Sequence, residues 1–243
     1  MRGNATFQRI GPPGFHAIPL LTRGLLVALV AGYVATAFLN AVLWLVVSPT
    51  LVLAKAQLWR LLTYPFGIGS ILSLLFVLLM TWQFSTELEV EWGRSSYAAF
   101  LLLAVLVPSV LAIPASLLLG LLGPMSEPVF VGSSGLVTTV ICAWAFMAPR
   151  QEIFFWGVIP MKRQVFAWIA VIISAVLPFE SAGGQLRTAF VVALWALGGV
   201  PVAWYWVRGR RARPLQFRLP NALRKLQRRR HLRVVRSDDK YIH

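Results

Sequence analysis

Charged residues are scarce in this sequence of 243 residues. Only 13% of the residues are charged and 58% are hydrophobic, and the mean hydropathy is +0.72. About a quarter of the residues of an ordinary soluble domain are charged, so this composition excludes an ordinary cytosolic enzyme. It also excludes a disordered chain, which needs few hydrophobic residues and a high net charge. The composition therefore predicts an integral membrane protein.

Cysteine and histidine are also rare. The single cysteine, Cys142, excludes an intramolecular disulfide and a metal site built from several cysteines. The three histidines, His16, His231 and His243, lie near the two ends of the chain. Because buried metal ligands are lacking and no glycine-rich phosphate loop is present, we expect neither a metal nor another cofactor.

Six long apolar runs are present instead. A helix needs about 20 mostly apolar residues to cross the hydrocarbon core of a bilayer. The runs lie at residues 25–47, 67–84, 97–123, 129–148, 165–179 and 188–207. They predict an all-α, polytopic membrane protein with a bundle of six transmembrane helices. Pro108 and Pro114 in the third run predict a kink in that helix.

The runs also predict the domain organisation. We expect a cytoplasmic N-terminal segment at 1–24, a membrane domain at 25–207 and a basic cytoplasmic tail at 208–243. A secretory signal peptide is the alternative interpretation of the first run. It is disfavoured because the run is too long and no small-residue cleavage pattern follows it.

Basic residues predict the orientation of the helices. The chain has 23 Lys and Arg against 8 Asp and Glu, a net charge of +15. With the N-terminus inside, only Lys55, Arg60 and Arg187 fall in outer loops, and basic loops stay on the cytoplasmic side. We therefore expect both termini in the cytoplasm, in the inner membrane if the cell is bacterial. The aromatic residues 204–206 suit an interfacial belt.

The tail carries much of this charge. Thirteen basic residues follow Val207, against only Asp238 and Asp239. A basic cluster next to a membrane helix is typical of binding to anionic lipid. Nucleic acid is the alternative partner, since its phosphates attract the same charges.

A short GxSG motif opens the fourth run, formed by Gly132, Ser133, Ser134 and Gly135. Small residues at a helix start allow a second helix to approach closely. A serine in this position is also a candidate nucleophile. From the motif alone, helix packing and catalysis both remain open.

Its surroundings resemble the rhomboid family of intramembrane proteins, from about residue 57 to residue 206. "QLWRLLTYPF" at 57–66 is similar to the first-loop signature of that family, and "SLLFVLLMTWQFSTELEVEWG" at 73–93 to its second helix and the following turn. "GSSG" matches the serine motif, and "APRQEIFFWGVIPMK" at 148–162 resembles the loop between the fourth and fifth helices. Gly198 and Gly199 stand where the sixth helix of the family has its glycine pair. The resemblance implies a six-helix fold of the intramembrane serine protease type.

The resemblance also implies a site in which most catalytic positions are changed. Active members pair a serine with a histidine and complete the oxyanion site with a His and an Asn. The serine corresponds to Ser134. The dyad histidine corresponds to Ala196, and the oxyanion His and Asn correspond to Ser73 and Val77.

These changes predict an inactive site on chemical grounds as well. A serine hydroxyl needs a nearby base to become a nucleophile, and neither Val77 nor Ala196 can donate a hydrogen bond to an oxyanion. Ser73 lies on one helix face with Ser70, Val77 and Thr81, and that face is expected to meet Ser134 through neutral hydrogen bonds only. No charged residue is expected inside a membrane helix. We therefore expect no enzymatic activity, and the alternative is an active serine endopeptidase with a non-standard site.

Trp59 and Arg60 do not depend on a catalytic site. In the family, the first loop dips into the outer leaflet and disturbs the lipid around it. An interfacial Trp with a snorkelling Arg is the alternative interpretation.

With the lost dyad, the arrangement resembles derlins and other pseudoproteases, which bind transmembrane clients in quality control or trafficking. The expected contacts to such clients are Trp59, Arg60, Gly132, Gly135, Gly198 and Gly199. A pore lined with Ser and Thr remains open, although ionisable residues inside the bundle or related halves, typical of transporters, are not found in the sequence.

Overall fold

The structure is a computed structural model that describes residues 18–39, 41–121, 127–155, 159–181 and 185–211. Residues 1–17 of the predicted N-terminal segment lie outside these residues, as does most of the basic tail. The described helices are α1 (Leu20–Leu39), α2 (Val42–Leu45), α3 (Pro49–Leu53), α4 (Arg60–Thr63), α5 (Ile71–Trp92), α6 (Arg94–Leu121), α7 (Ser134–Met147), α8 (Arg163–Ser181), α9 (Leu186–Leu197) and α10 (Gly199–Arg211). A 3-10 turn at Tyr64–Phe66 follows α4.

The helices confirm the predicted all-α membrane fold. Four helical stretches of the described residues are long and apolar enough to cross a membrane, at Leu20–Leu39, Ile71–Trp92, Arg94–Leu121 and Leu186–Arg210, the last of which joins α9 and α10. Two shorter apolar helices, Ser134–Met147 and Arg163–Phe179, coincide with the fourth and fifth predicted runs. A small antiparallel hairpin was not expected; it pairs β1 (Glu152–Phe155) with β2 (Ile159–Lys162) between α7 and α8.

Two boundaries differ from the prediction. The run at 25–47 is not one helix, because α1 covers Leu20–Leu39 and short helices follow it. The second helix does not end at residue 84 but continues to Trp92, and it therefore includes Glu87 and Glu89. By length and composition α5 is one of the candidate spans, and it carries charged side chains near its end, whereas none was expected inside a membrane helix.

Local signals explain where α5 begins and ends. The Ser70 side chain accepts a hydrogen bond from the Ser73 N–H at 3.1 Å, which satisfies a free backbone donor at the helix start. Gly93 follows the last residue with a φ of +78°, a conformation that glycine adopts without steric cost. Pro108 and Pro114 both lie inside α6, which continues through them.

The central helix of the bundle is α7. Every residue from 135 to 145 is buried, and the helix packs against α5, α6, α8 and α9. In contrast, α1 lies at the periphery with only Thr22 and Leu29 buried. The chain divides into two units, Met1–Val207 and Arg208–His243.

Candidate functional site

The first loop, residues 41–69, is built around Arg60. This side chain is only 4% exposed, and its Nη1 donates to the carbonyl oxygens of Leu43 at 2.6 Å and Val46 at 2.7 Å. Its Nε donates to the side chain of Gln57. The guanidinium is thus bound to atoms of the loop itself, unlike a snorkelling arginine that extends to water. Arg60 shapes the loop, and its contact with a client stays a prediction.

The outer surface of the first loop is apolar. Trp59 is 50% exposed, and it precedes the first residue of α4. The other exposed large apolar side chains of the loop are Leu43, Trp44, Leu53, Leu58 and Leu62. Such a surface is suited to lipid or to an apolar segment of another chain.

The serine loop, residues 127–133, is attached to the first loop by backbone hydrogen bonds. Val47 and Phe130 exchange two bonds, each 2.9 Å long. The Gly132 N–H donates to the Tyr64 carbonyl at 3.0 Å. Gly132 has a φ of +102°, which favours glycine at this position. The two loops are therefore held together immediately before Ser134.

Glu127 adds a polar link at the start of the serine loop. Its carboxylate accepts hydrogen bonds from the Thr50 N–H at 3.0 Å and from the Thr50 hydroxyl. The Thr50 hydroxyl is the main cause of the lowered pKa of Glu127, because this hydrogen bond favours the charged form.

Ser134 is the first residue of α7 and is exposed, while its neighbours Ser133 and Gly135 are buried. A Cβ placed on Gly135 would lie 3.3 Å from the Ala196 carbonyl oxygen and 3.4 Å from its Cα. Because Gly135 has no side chain, α7 and α9 approach each other here. The structure thus brings Ala196 beside the serine motif, as the resemblance implies, and Ala196 has no proton-accepting side chain.

The two α5 positions do not supply the missing chemistry. Ser73 is exposed and accepts a hydrogen bond from the Ser70 hydroxyl at 2.8 Å. No hydrogen bond from Ser73 to Ser134 is found in the described part of the chain, so the expected neutral link between them is not made. Val77 is buried in the core. Residues 18–39, 41–121, 127–155, 159–181 and 185–211 include no histidine, and they form no cluster of metal ligands.

The glycine pair mainly packs helices. A Cβ on Gly198 would lie 3.0 Å from the Cα of Pro108 in α6. A Cβ on Gly199 would overlap the Thr139 side chain of α7. These contacts account for both glycines by close helix packing.

Gly198 also lines an apolar groove of about 340 Å³ between α6, α8, α9 and α10. The other lining residues are Leu111, Val171, Leu194, Leu197, Val200 and Pro201. A client contact at Gly198 stays a prediction.

Sequence reasoning missed two polar contacts that fix the helices. Glu89 is buried and accepts hydrogen bonds from the N–H groups of Leu21 at 3.0 Å and Thr22 at 2.7 Å, at the start of α1. Glu87 binds Arg163 at 2.8 Å and also accepts from Trp144 Nε1. The available signal was the alternation of glutamates in "TELEVEW" at 86–92, which places Glu89 on the helix face opposite Glu87 and Glu91.

Comparison with known families finds one family model that matches most of this architecture. A family model described as the Der1-like family matches residues 18–194. The matched region begins before α1 and includes the first loop, the serine loop and most of α9. No curated protein matches the chain.

Proposed function

The chain belongs to the Der1-like family, a family of rhomboid-like polytopic membrane proteins, and from this we propose that it binds transmembrane segments of client proteins. In this proposal it is a pseudoprotease of membrane-protein quality control or trafficking. Clients are held within the bilayer and are not cut. The proposed contacts are the exposed surface of the first loop and the region around Ser134.

The replacement of the dyad base is the observation that carries the proposal. Ala196 lies against Gly135, next to Ser134, and by the resemblance it corresponds to the dyad histidine of a proteolytic rhomboid. The Ala196 side chain cannot accept the proton of the serine hydroxyl, and a base is required for attack on a peptide bond. A Ser134 that does not react is free to serve as a polar contact.

The exposed side chains support a binding role. Trp59 in the first loop is exposed, as are Leu72 and Phe76 near the start of α5. These side chains and Ser134 belong to the same end of the bundle, because α5 and α7 both begin there. A client helix placed at this end would find apolar contacts together with the hydroxyls of Ser70, Ser73 and Ser134. A polar side chain of a client helix costs free energy when it is surrounded by lipid alone. Hydroxyls at this end of the bundle therefore favour client helices that carry a polar side chain.

The proposal also covers the limits of the membrane domain, the location of the two terminal segments and the partner of the basic tail. We propose a membrane domain at 25–207 between a cytoplasmic N-terminal segment at 1–24 and a basic cytoplasmic tail at 208–243. The tail binds anionic lipid, for which the positive charge after Val207 is the support. Nucleic acid is the alternative partner of the tail, and an active endopeptidase around Ser134 is the alternative function.

Photo-crosslinking in lipid vesicles tests client binding. A photoreactive amino acid is placed at Phe76 of the full-length protein, and at Val27 as a control that is exposed on the peripheral helix α1. The probes are two synthetic transmembrane peptides that differ only in a central Asn or Leu. We expect more crosslinking at position 76 than at 27, and more with the Asn peptide. Equal crosslinking at both positions with both peptides contradicts the proposal.

A further inference from the structure

Tyr64 lies where the first loop, the serine loop and the helix bundle meet. Its ring is fully buried. Its carbonyl oxygen accepts the Gly132 N–H at 3.0 Å, two residues before Ser134. Its hydroxyl donates to the Val105 carbonyl of α6 at 3.3 Å. One residue therefore contacts three separate parts of the protein.

The ring of Tyr64 also reaches the helix that faces Ser134. It packs edge-on against Trp195 with ring centroids 5.0 Å apart. Trp195 in turn packs against Phe130 of the serine loop at 5.3 Å. The next residue, Ala196, is the one whose backbone lies against Gly135. The serine loop and α9, which both lie beside Ser134, thus contact Tyr64 directly or through one aromatic ring.

A single helical turn connects Tyr64 to the exposed Trp59. The Thr63 N–H donates to the Trp59 carbonyl at 3.1 Å, and the Tyr64 N–H donates to the Arg60 carbonyl. Arg60 fixes the start of this turn through the carbonyls of Leu43 and Val46. Trp59 and Tyr64 are therefore joined through the hydrogen-bonded backbone of this turn.

We propose that Tyr64 is a positioning residue that couples the lipid-facing Trp59 to the Ser134 region, so that the two move as one body. The inference rests on the proposed function, in which both places contact a client. The chemistry is packing and hydrogen bonding, with no titrating group. The depth of the first loop in the bilayer then sets the position of the Ser134 region, and removal of the Tyr64 side chain separates the two.

The distance between the two places tests this coupling. Spin labels are attached to Trp59→Cys and Ser134→Cys in the full chain, with the single native cysteine, Cys142, changed to Ala. Distance distributions are measured in phosphatidylcholine bilayers with short and with long acyl chains. With Tyr64 present, we expect one narrow distribution whose mean does not change with bilayer thickness.

Two variants and one control decide the outcome. Tyr64→Ala should broaden the distribution about twofold and make its mean depend on thickness, and Tyr64→Phe should broaden it less because it retains the ring. Leu62→Ala, on the exposed side of the same turn, should leave the distribution narrow.

A folded Tyr64→Ala protein with a narrow, thickness-independent distribution overturns the proposal. If that variant does not fold, an unchanged distribution in Tyr64→Phe overturns it. The distance measurement contains no client. The Tyr64 coupling can therefore be overturned while the crosslinking experiment supports client binding, and client binding can be contradicted while the coupling is supported.

Discussion

Glu87 of α5 and Arg163 of α8 form an ion pair 2.8 Å long across the end of the bundle. The Arg163 guanidinium also lies 4.1 Å from the centre of the Trp144 ring in α7, and Trp144 Nε1 donates to the other oxygen of Glu87. Phe84 and Phe166 pack beside them at 5.4 Å. One cluster of charged and aromatic side chains thus joins α5, α7 and α8.

This cluster predicts coupled losses of stability. Arg163 is 3% exposed and Glu87 is 40% exposed, so removal of Glu87 leaves a buried cation, whereas removal of Arg163 leaves a carboxylate that is partly solvated. We expect Glu87→Gln and Arg163→Gln each to cost about 1–2 kcal/mol, less than a fully buried pair, and the double variant to cost less than the sum. Thermal unfolding in detergent can be followed with a thiol-reactive dye, because Cys142 is buried in the folded protein. Strictly additive losses would show that the two side chains act independently.

Ser134 is predicted not to react as a nucleophile. A fluorophosphonate probe labels activated serines, and Ala196 provides no base beside Ser134. We expect labelling of the purified protein in lipid to equal that of the Ser134→Ala control. Labelling that is lost only in the control would reveal an activating group, and the endopeptidase alternative would then be favoured.

Gly199 is predicted to tolerate no side chain. A Cβ at this position overlaps Thr139 of the central helix, and overpacking of a tight contact costs about 1–3 kcal/mol. Gly199→Ala should therefore lower the unfolding temperature measured by the exposure of Cys142. Gly24→Ala is the matched control, since no atom lies within 4 Å of a Cβ at Gly24. Equal behaviour of the two variants would contradict the packing role.

The sequence predicted the helices better than the contacts between them. Six runs could be found because a membrane helix requires about 20 apolar residues, which is a property of composition. The serine motif and Ala196 could also be placed together, through the resemblance and the small residues that permit close packing. The role of Arg60 was not predictable, because its acceptors are backbone carbonyls, which every residue carries.

The same limit applies to Glu89. Its partner Thr22 is 67 residues away in the chain, so the glutamate pattern at 86–92 does not show which helix start the carboxylate binds. The end of α5 was missed for a related reason. Charge marks the end of an apolar run, whereas in the structure the helix continues through Glu87 and Glu89, where both carboxylates find hydrogen-bond donors.

Glu89 is predicted to hold the peripheral helix α1 in place. It accepts two N–H groups at the start of this helix and the Thr22 hydroxyl at 2.8 Å, and α1 has few other buried residues. Glu89→Ala should cost about 1–3 kcal/mol because these buried donors lose their acceptor. Glu91→Ala, an exposed neighbour on the same helix, should cost much less in the same thermal assay. A similar loss in both would assign the effect to the helix and not to the buried carboxylate.

Glu127 predicts a dependence of stability on pH. Its pKa is lowered in the folded protein, chiefly by the hydrogen bond from the Thr50 hydroxyl. A carboxylate with a lowered folded pKa contributes stability above its unfolded pKa, and this contribution is lost as the pH falls through the folded pKa. The difference in unfolding temperature between the native chain and Glu127→Gln should therefore shrink as the pH is lowered from about 7 to about 3. Thr50→Val removes the main donor, so in that background the same substitution should produce a smaller difference and a weaker pH dependence. If the difference stays constant over this range in both backgrounds, the link between Glu127 and Thr50 does not stabilise the contact between the two loops.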